Sequence, residues 1–138
     1  MFTLTSSPID IAEWIEQAKH PEVGAVEIFI GTTRNDKEDC GILSLYYEAY
    51  DEMIHTSAAS LEDNMKERYP QIKDLWIIHR TGMVAVKEPA LLVILTASHR
   101  KELFQAMEEC LDLIKRDLPI WKKGIYVDGH EKWLTNQF

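Results

Sequence analysis

Residues 96–123, TASHRKELFQAMEECLDLIKRDLPIWKK, predict one long amphipathic helix around which the rest of the chain can be arranged. Apolar residues recur there at spacings of three and four, the pattern of a helix packed on a core: Leu103, Phe104, Met107, Cys110, Leu111 and Ile114. Pro119 cannot continue a helix and drives Leu118 toward an extended conformation. The helix should therefore end near Asp117, and residues 120–124 should form a turn.

The predicted start of this helix is basic. Ser98 can cap the helix, because its hydroxyl can accept a hydrogen bond from a backbone N–H of the first turn. His99, Arg100 and Lys101 would then oppose the helix dipole, whose N-terminus favours anions. An anion bound at the helix start would explain these residues. The commoner alternative is that the three side chains simply extend into water.

Lys115 lies at the other end of the helix, at the border between the apolar stripe and solvent. A lysine at such a border commonly lays its stem on the core and keeps its amine in water. Partial burial beside the cationic Arg116 would instead favour the uncharged amine, the form that accepts a proton. Both interpretations stay open at this point.

The remaining helices and strands are predicted from apolar periodicity and from the residues that end each run. Helices are expected at residues 8–18, capped by Ser7, and at 51–69; strands are expected at 25–30, 42–49, 72–79, 83–86 and 90–97, with a closing hairpin at 125–134. The second helix should bury Met53, Ile54, Ala58, Leu61 and Met65. Strands 72–79 and 90–97 are dense in β-branched and aliphatic residues, so they should be central. This arrangement is that of an α+β protein.

Length, charge and cysteine content limit the possible functions. The chain has 138 residues, enough for one domain with its own core, and a formal net charge of −8. Residues 1–69 contain 5 Lys/Arg and 14 Asp/Glu, whereas residues 70–138 contain 10 and 9. Because duplex binding needs a basic face, this distribution argues against nucleic acid but allows a locally bound small anion. Two cysteines and no membrane-length apolar run predict a soluble, cytoplasmic protein.

Other catalytic chemistries lack their usual patterns. The five histidines show no HExxH or comparable ligand spacing, so we expect no metal site. The chain has no GxSxG, P-loop or GxGxxG sequence. His79 follows a run of strand residues and is expected to be a structural histidine with its hydrogen bonds satisfied, and not a ligand. Lysine amines and arginine guanidinium groups remain as the candidate functional groups.

Four motifs occur in one order: GTTRN at residues 31–35, IHRTG at 78–82, SHR at 98–100 and LIKRDLPIWKK at 113–123. Together they resemble the large, catalytic subunit of molybdopterin synthase, over residues 24–133. The resemblance implies an α/β hammerhead-type domain with an additional antiparallel β-sheet, comprising residues 1–138 as a single domain. It differs in two places, since Lys87 stands where the family often has glycine, and the chain ends at Phe138 where the family commonly continues into a basic tail.

The resemblance also implies a reaction. The family transfers two sulfurs to cyclic pyranopterin monophosphate and so forms the dithiolene of molybdopterin. The sulfur arrives as a C-terminal Gly-Gly thiocarboxylate on a small ubiquitin-like partner subunit, and the complex is a homodimer within a heterotetramer. The resemblance calls for no metal or organic cofactor in this step, and for neither nucleic acid nor membrane as a partner.

Site residues carry over from the motifs that match. Lys115 is the expected principal catalytic residue, as general acid or base and as a cation beside the thiocarboxylate, and Lys122 is expected to assist it. The expected substrate-binding residues comprise both lysines and seven others: Thr32, Thr33, Arg34, His99, Arg100, Lys123 and Gly124. Arginine suits a phosphate because its guanidinium can form two parallel hydrogen bonds.

Helix geometry adds an expectation of its own. Arg100 and Lys115 are fifteen residues apart, which is about 22 Å along a straight helix. One small substrate cannot easily contact both residues of one chain, so if His99, Arg100 and Lys115 all serve one pocket, the helix start must come from a second copy. We therefore expect a symmetric homodimer with two pockets, each formed by Lys115 and Lys122 of one subunit and His99 and Arg100 of the other.

Two other functional classes stay open on residues alone. The same cations could hold a nucleotide or phosphate in a non-catalytic regulatory domain, which predicts tight ligand binding without sulfur transfer. Alternatively, the protein could be an interaction module that only docks the ubiquitin-like partner. That module would bind the partner equally well without Lys115 and would not bind the precursor.

Overall fold

The computed structural model describes residues 1–135, which form three α-helices and two four-stranded sheets. In chain order the elements are β1 Phe2–Thr5, α1 Ile11–Ala18, β2 Ala25–Thr32, β3 Ile42–Ala49, α2 Asp51–Arg68, β4 Ile72–Arg80, β5 Gly82–Ala85, β6 Pro89–Ala97, α3 Leu103–Asp117, β7 Ile120–Tyr126 and β8 Glu131–Leu134. A short 3₁₀-helix, Lys37–Asp39, lies between β2 and β3.

The first sheet has the strand order β1-β4-β6-β2, in which β1 runs parallel to β4 and the other pairs are antiparallel. The prediction that β4 and β6 are central is confirmed. All residues of β6 after Pro89 are buried, because helices cover both faces of this sheet. The second sheet has the order β5-β3-β7-β8 and is antiparallel throughout.

Side-chain alternation along β6 divides the core in two. Leu91 and Val93 point to the face covered by α2 and α3, where Ile54 and Ile114 are fully buried or nearly so. Leu92 and Ile94 point to the opposite face, which α1 covers. Since successive residues of a strand point to opposite faces, the unbroken apolar run of β6 has the sequence expected of a strand buried on both sides.

Helix α3 begins later than predicted and ends where predicted. Its N-cap is Glu102, which has a left-handed backbone (φ 65°) and forms no side-chain capping hydrogen bond. The prediction that Ser98 caps the helix is therefore wrong, and His99, Arg100 and Lys101 lie in the loop before the helix. The late start is caused by the sheet. Strand β6 stays paired with β2 as far as Ala97, so the chain must leave the sheet before the helix can begin.

The predicted turn at residues 120–124 is wrong, because these residues belong to strand β7. The extended conformation imposed by Pro119 leads directly into this strand, which pairs with β3. Ile120, Lys122 and Gly124 are buried, whereas Trp121 is exposed. Two adjacent lysines hid this alternation in the sequence. The predicted hairpin that follows is confirmed, with β7 paired to β8.

Three smaller predictions also need correction. Asp10, and not Ser7, caps α1, since its Oδ1 accepts a hydrogen bond from the backbone N–H of Glu13 at 3.1 Å. Met53 and Phe104 were predicted to be buried, but they are 53% and 67% exposed. Each lies directly beside a buried residue of its helix, and neighbours about 100° apart on a helix cannot both face a flat sheet.

Candidate functional site

A cavity of about 360 Å³ lies between the two sheets, and we call it the inter-sheet cavity. The first sheet contributes the end of β2 and the start of β6, and the second sheet contributes residues of β3, β7 and β8. Its lining is apolar apart from five polar or charged residues: Thr32, Arg34, Asp39, Tyr47 and Lys122. An apolar cavity with a few converging polar groups is the usual form of a small-molecule site.

Lys122 points into this cavity from β7 and is only 9% exposed. Burial lowers the pKa of its amine, and the nearby cations Arg34 and Lys115 lower it further, while Asp39 opposes the change. Removal of a charge from water favours the uncharged amine. Lys122 therefore loses a proton more readily than a surface lysine, which suits a group that must exchange protons.

Lys115 lies in the last turn of α3, with an exposed side chain that is not part of the cavity lining. It is nevertheless close enough to Lys122 to be one of the cations that depress the pKa of that amine. The short connection between α3 and β7 thus keeps the two lysines of the LIKRDLPIWKK motif at one end of the molecule.

Arg34 follows β2 and reaches the cavity from a loop. Its Nε and Nη2 donate hydrogen bonds to Oδ2 and Oδ1 of Asp39 at 2.9 and 3.0 Å. Asp39 also accepts a hydrogen bond from the backbone N–H of Asp36 at 2.8 Å, and the Arg34 guanidinium is the main cause of its lowered pKa. The paired N–H groups that hold this carboxylate have the geometry that also suits a phosphate.

The two threonines of the GTTRN motif occupy different environments. Thr32 lines the cavity at the end of β2, and its side chain is accessible there. Thr33 is 2% exposed, and its hydroxyl donates a hydrogen bond to the carbonyl of Val84 at 3.3 Å. Its backbone N–H also donates to the carbonyl of Glu88 at 3.0 Å, so Thr33 ties the end of the first sheet to β5.

Lys123 and Gly124, also predicted to bind substrate, lie on β7 but outside the cavity lining. Lys123 projects from the outer face, where its Nζ lies 3.0 Å from Glu131 Oε2 and 5.1 Å from the ring centroid of Tyr46. Gly124 is buried, and a Cβ atom there would come within 2.9 Å of the Tyr126 ring. Its small size is therefore explained by packing.

His99 and Arg100 lie at the opposite end of the first sheet. They line a separate surface pocket with Gly24 and Phe104. Strand β6 begins at the inter-sheet cavity and ends at Ala97, two residues before His99. Its course from Leu91 to Ala97 spans about 20 Å at strand geometry. Within one chain, the structure therefore does not bring His99 and Arg100 to Lys122.

Two residues beside the cavity were not predicted to be functional. Tyr47 lines the cavity, and its ring packs edge-to-face on His79, with centroids 5.0 Å apart. His79 is fully buried, and its Nδ1–H donates to the carbonyl of Arg80 at 2.7 Å, but its Nε2 has no hydrogen-bond partner within residues 1–135, so the prediction of a satisfied histidine holds for one ring nitrogen only. Burial lowers the pKa of His79 to about 4, so its ring is neutral at physiological pH.

Residues 1–135 contain neither a metal-binding cluster nor a membrane-spanning helix. No group of three or more His, Cys, Asp or Glu side chains in that range is arranged to hold a metal ion. No helix in the same range is long and apolar enough to cross a membrane.

The functional groups that line the inter-sheet cavity are one buried amine, one guanidinium, one carboxylate, a phenol and a hydroxyl.

Fold and cavity together define an α+β protein with a cationic pocket between two sheets. Residues 4–117 match the family model described as MoaE protein, which covers most of the chain. The chain belongs to the MoaE family.

Individual relatives agree with this assignment. The molybdopterin synthase catalytic subunit of Thermoplasma volcanium is 35% identical over 130 residues, which are 94% of each chain. The crystal structure of molybdopterin synthase from Staphylococcus aureus superposes with a TM-score of 0.86 at 32% identity, over 95% of this chain and 94% of that one. The predicted resemblance to molybdopterin synthase catalytic subunits and the α+β fold with a second antiparallel sheet are confirmed.

A more distant neighbour shares the same fold. It is a complex of subunits 1 and 2 of molybdopterin-converting factor from Helicobacter pylori 26695, with a TM-score of 0.78 at 20% identity. The match covers 99% of this chain and 90% of that one. The two-sheet arrangement is thus shared by chains whose sequences have diverged widely.

Proposed function

We propose that this chain is the catalytic subunit of a molybdopterin synthase and transfers two sulfurs to cyclic pyranopterin monophosphate, forming the molybdopterin dithiolene. The observation that carries the proposal is the buried Lys122 amine close to Arg34 in an apolar cavity, in a chain of the MoaE family. An anionic substrate would compensate both cations, and the burial of Lys122 would strengthen its attraction to that substrate.

The sulfur donor in this proposal is the C-terminal Gly-Gly thiocarboxylate of a small ubiquitin-like partner. The Helicobacter pylori neighbour is a complex of two subunits of molybdopterin-converting factor, which supports a second subunit here. An extended glycine tail is a suitable donor because it has no side chains to block a narrow approach to the lysines.

Each cation has a role in the proposed reaction. Arg34 would exchange the Asp39 carboxylate for the substrate phosphate, since both can accept two parallel N–H bonds. Opening of the cyclic phosphate and expulsion of oxygen each leave an oxygen that must gain a proton. Lys115 would act as the principal general acid or base beside the thiocarboxylate, and Lys122, whose pKa is already lowered, would assist.

His99 and Arg100 would come from a second copy of the chain. The helix from Leu103 to Lys115 spans about 18 Å. One small substrate therefore cannot contact residues at both ends of α3 in the same chain. A symmetric homodimer would place the His99 loop of one copy against the inter-sheet cavity of the other. With one small subunit bound to each copy, the assembly would be a heterotetramer.

Thr32 would add a hydroxyl from the cavity wall, and Thr33, Lys123 and Gly124 remain predicted substrate contacts.

Dithiolene formation by the purified components tests the proposal directly. Natural chain and Lys115→Ala would each be mixed with thiocarboxylated partner and pyranopterin precursor. We expect turnover by the natural chain and nearly complete loss in the variant, with normal folding and unchanged partner binding, because Lys115 is exposed and contributes little to the core. A folded, partner-bound natural chain without turnover would contradict the proposal and favour a binding module.

A further inference from the structure

The hydroxyl of Tyr47 is a polar group at the cavity that the proposed reaction does not yet use. Tyr47 is only 4% exposed and lines the inter-sheet cavity. Within residues 1–135 burial alone shifts its pKa, with no hydrogen bond contributing, and its oxygen is not among the fully enclosed unpartnered side-chain atoms. The hydroxyl therefore faces the accessible space of the cavity, where a ligand that enters can accept its hydrogen bond.

Strand pairing places this phenol next to the buried amine. Tyr47 on β3 is directly opposite Lys122 on β7, and side chains at opposite positions have Cβ atoms about 5 Å apart. Both residues are on the inner face of the second sheet, whereas the next pair, Tyr46 and Lys123, is on the outer face. The cavity therefore receives one phenol and one amine from adjacent strands.

The first sheet fixes the orientation of the Tyr47 ring. His79 contacts it edge-to-face at an interplanar angle of 71° and is itself held by its hydrogen bond to the Arg80 carbonyl. His79 is paired in the sheet with Leu91, which also lines the cavity. The ring thus lies between two sheets, and the phenol is held in place before any ligand binds.

The protonation state of the phenol suits a hydrogen-bond donor. Burial raises the pKa of Tyr47 to about 12, so the hydroxyl keeps its proton at physiological pH. A neutral donor can bind an oxyanion without repelling the neighbouring Lys122 cation. A further cation at the same place would repel Lys122 and would cost more to bury.

We propose that Tyr47 is a further substrate-contacting residue, whose phenol donates a hydrogen bond to an oxygen of the anionic substrate beside the Lys122 amine. The inference deepens the proposed function and rests on it for the identity of the substrate. Lys122 then attracts the anionic substrate by its charge, and Tyr47 orients the substrate by a directional hydrogen bond.

Tyr47→Phe is the decisive variant, because it removes one oxygen and retains the ring that packs on His79. We expect kcat/KM for dithiolene formation to fall about 10- to 100-fold, the range for a lost hydrogen bond to a charged group. Thermal stability and partner binding should be unchanged. Tyr46→Phe is the matched control, since its ring lies on the outer face near Lys123, and it should retain natural kcat/KM.

Two results would overturn the inference. If the natural chain is active and Tyr47→Phe has the same kcat/KM, Tyr47 does not contact the substrate, and the proposed function stands without it. If the folded natural chain is inactive, the proposed function fails, and Tyr47 is then tested by titration of ¹³Cζ-tyrosine-labelled protein with inorganic phosphate. A phosphate-dependent shift of the Tyr47 signal, assigned with Tyr47→Phe, would support the contact, and an unmoved signal would refute it.

Discussion

Shared pockets in a homodimer can be tested by mixing two inactive variants. In the proposed dimer, each pocket takes Lys115 from one copy and Arg100 from the other. Lys115→Ala and Arg100→Ala homodimers then have a defect in both pockets. A dimer with one chain of each kind combines both defects in one pocket and leaves the other pocket with natural Lys115 and natural Arg100.

The expected recovery follows from this geometry. Random exchange of equal amounts of the two variants makes about half of the dimers mixed, and one of the two pockets in each is intact, so about 25% of natural activity should return. Arg100 and the inter-sheet cavity lie at opposite ends of β6. A pocket built from a single chain therefore predicts a different result. If one chain supplied both residues, every pocket in the mixture would carry one defect, and no activity would return.

The assay is dithiolene formation before and after mixing, with differently tagged chains to confirm exchange. Lys115→Ala mixed with Lys122→Ala is the matched control, because both residues belong to the same side of the proposed pocket, and its activity should not exceed the mean of the two separate variants. The reasoning fails if exchange is complete and the Lys115 and Arg100 variants recover nothing. It also fails if the control recovers equally, since recovery would then have no relation to the pocket.

Two further predictions concern buried titratable groups. The pKa of His79 is lowered to about 4 from 6.5, so the unfolded chain binds more protons in this interval, and the stabilisation present above pH 6.5 is lost as pH falls toward 4, by about 3 kcal/mol in total. Urea unfolding of the natural chain between pH 4.5 and 7 should show this slope, and His79→Gln should flatten it; equal slopes would contradict the assignment. Cys40 is exposed, whereas Cys110 is buried and its pKa is raised to about 12. A thiol reagent should therefore modify only Cys40 in the native protein, as mass spectrometry of Cys40→Ser can check, and rapid labelling of Cys110 would refute the packing of α3.

Long, strongly apolar segments were predictable, and short or charged ones were not. Strands β4 and β6 were recognised because their buried runs are continuous, and their central place follows from that burial. Strand β1 was missed, since FTLT is short and half polar, and within residues 1–135 it pairs with the distant β4 alone. Such pairing depends on tertiary contact, which local propensity does not contain. The residues of the site were also only partly predictable. Motifs identified Arg34 and Lys122, whereas Tyr47 resembled an ordinary core residue until its cross-strand neighbour was known.

The adjacent lysines of β7 show why a motif does not act as one unit. Lys122 and Lys123 have the same chemistry, but strand alternation sends them to opposite faces of the second sheet. On the inner face, Lys122 is desolvated and its pKa falls. On the outer face, Lys123 lies over the rings of Tyr46 and Trp133, and its Nζ forms an ion pair with Glu131. A shift of one residue in strand register would exchange these environments, so the pairing of β3 with β7 selects which lysine can serve the cavity.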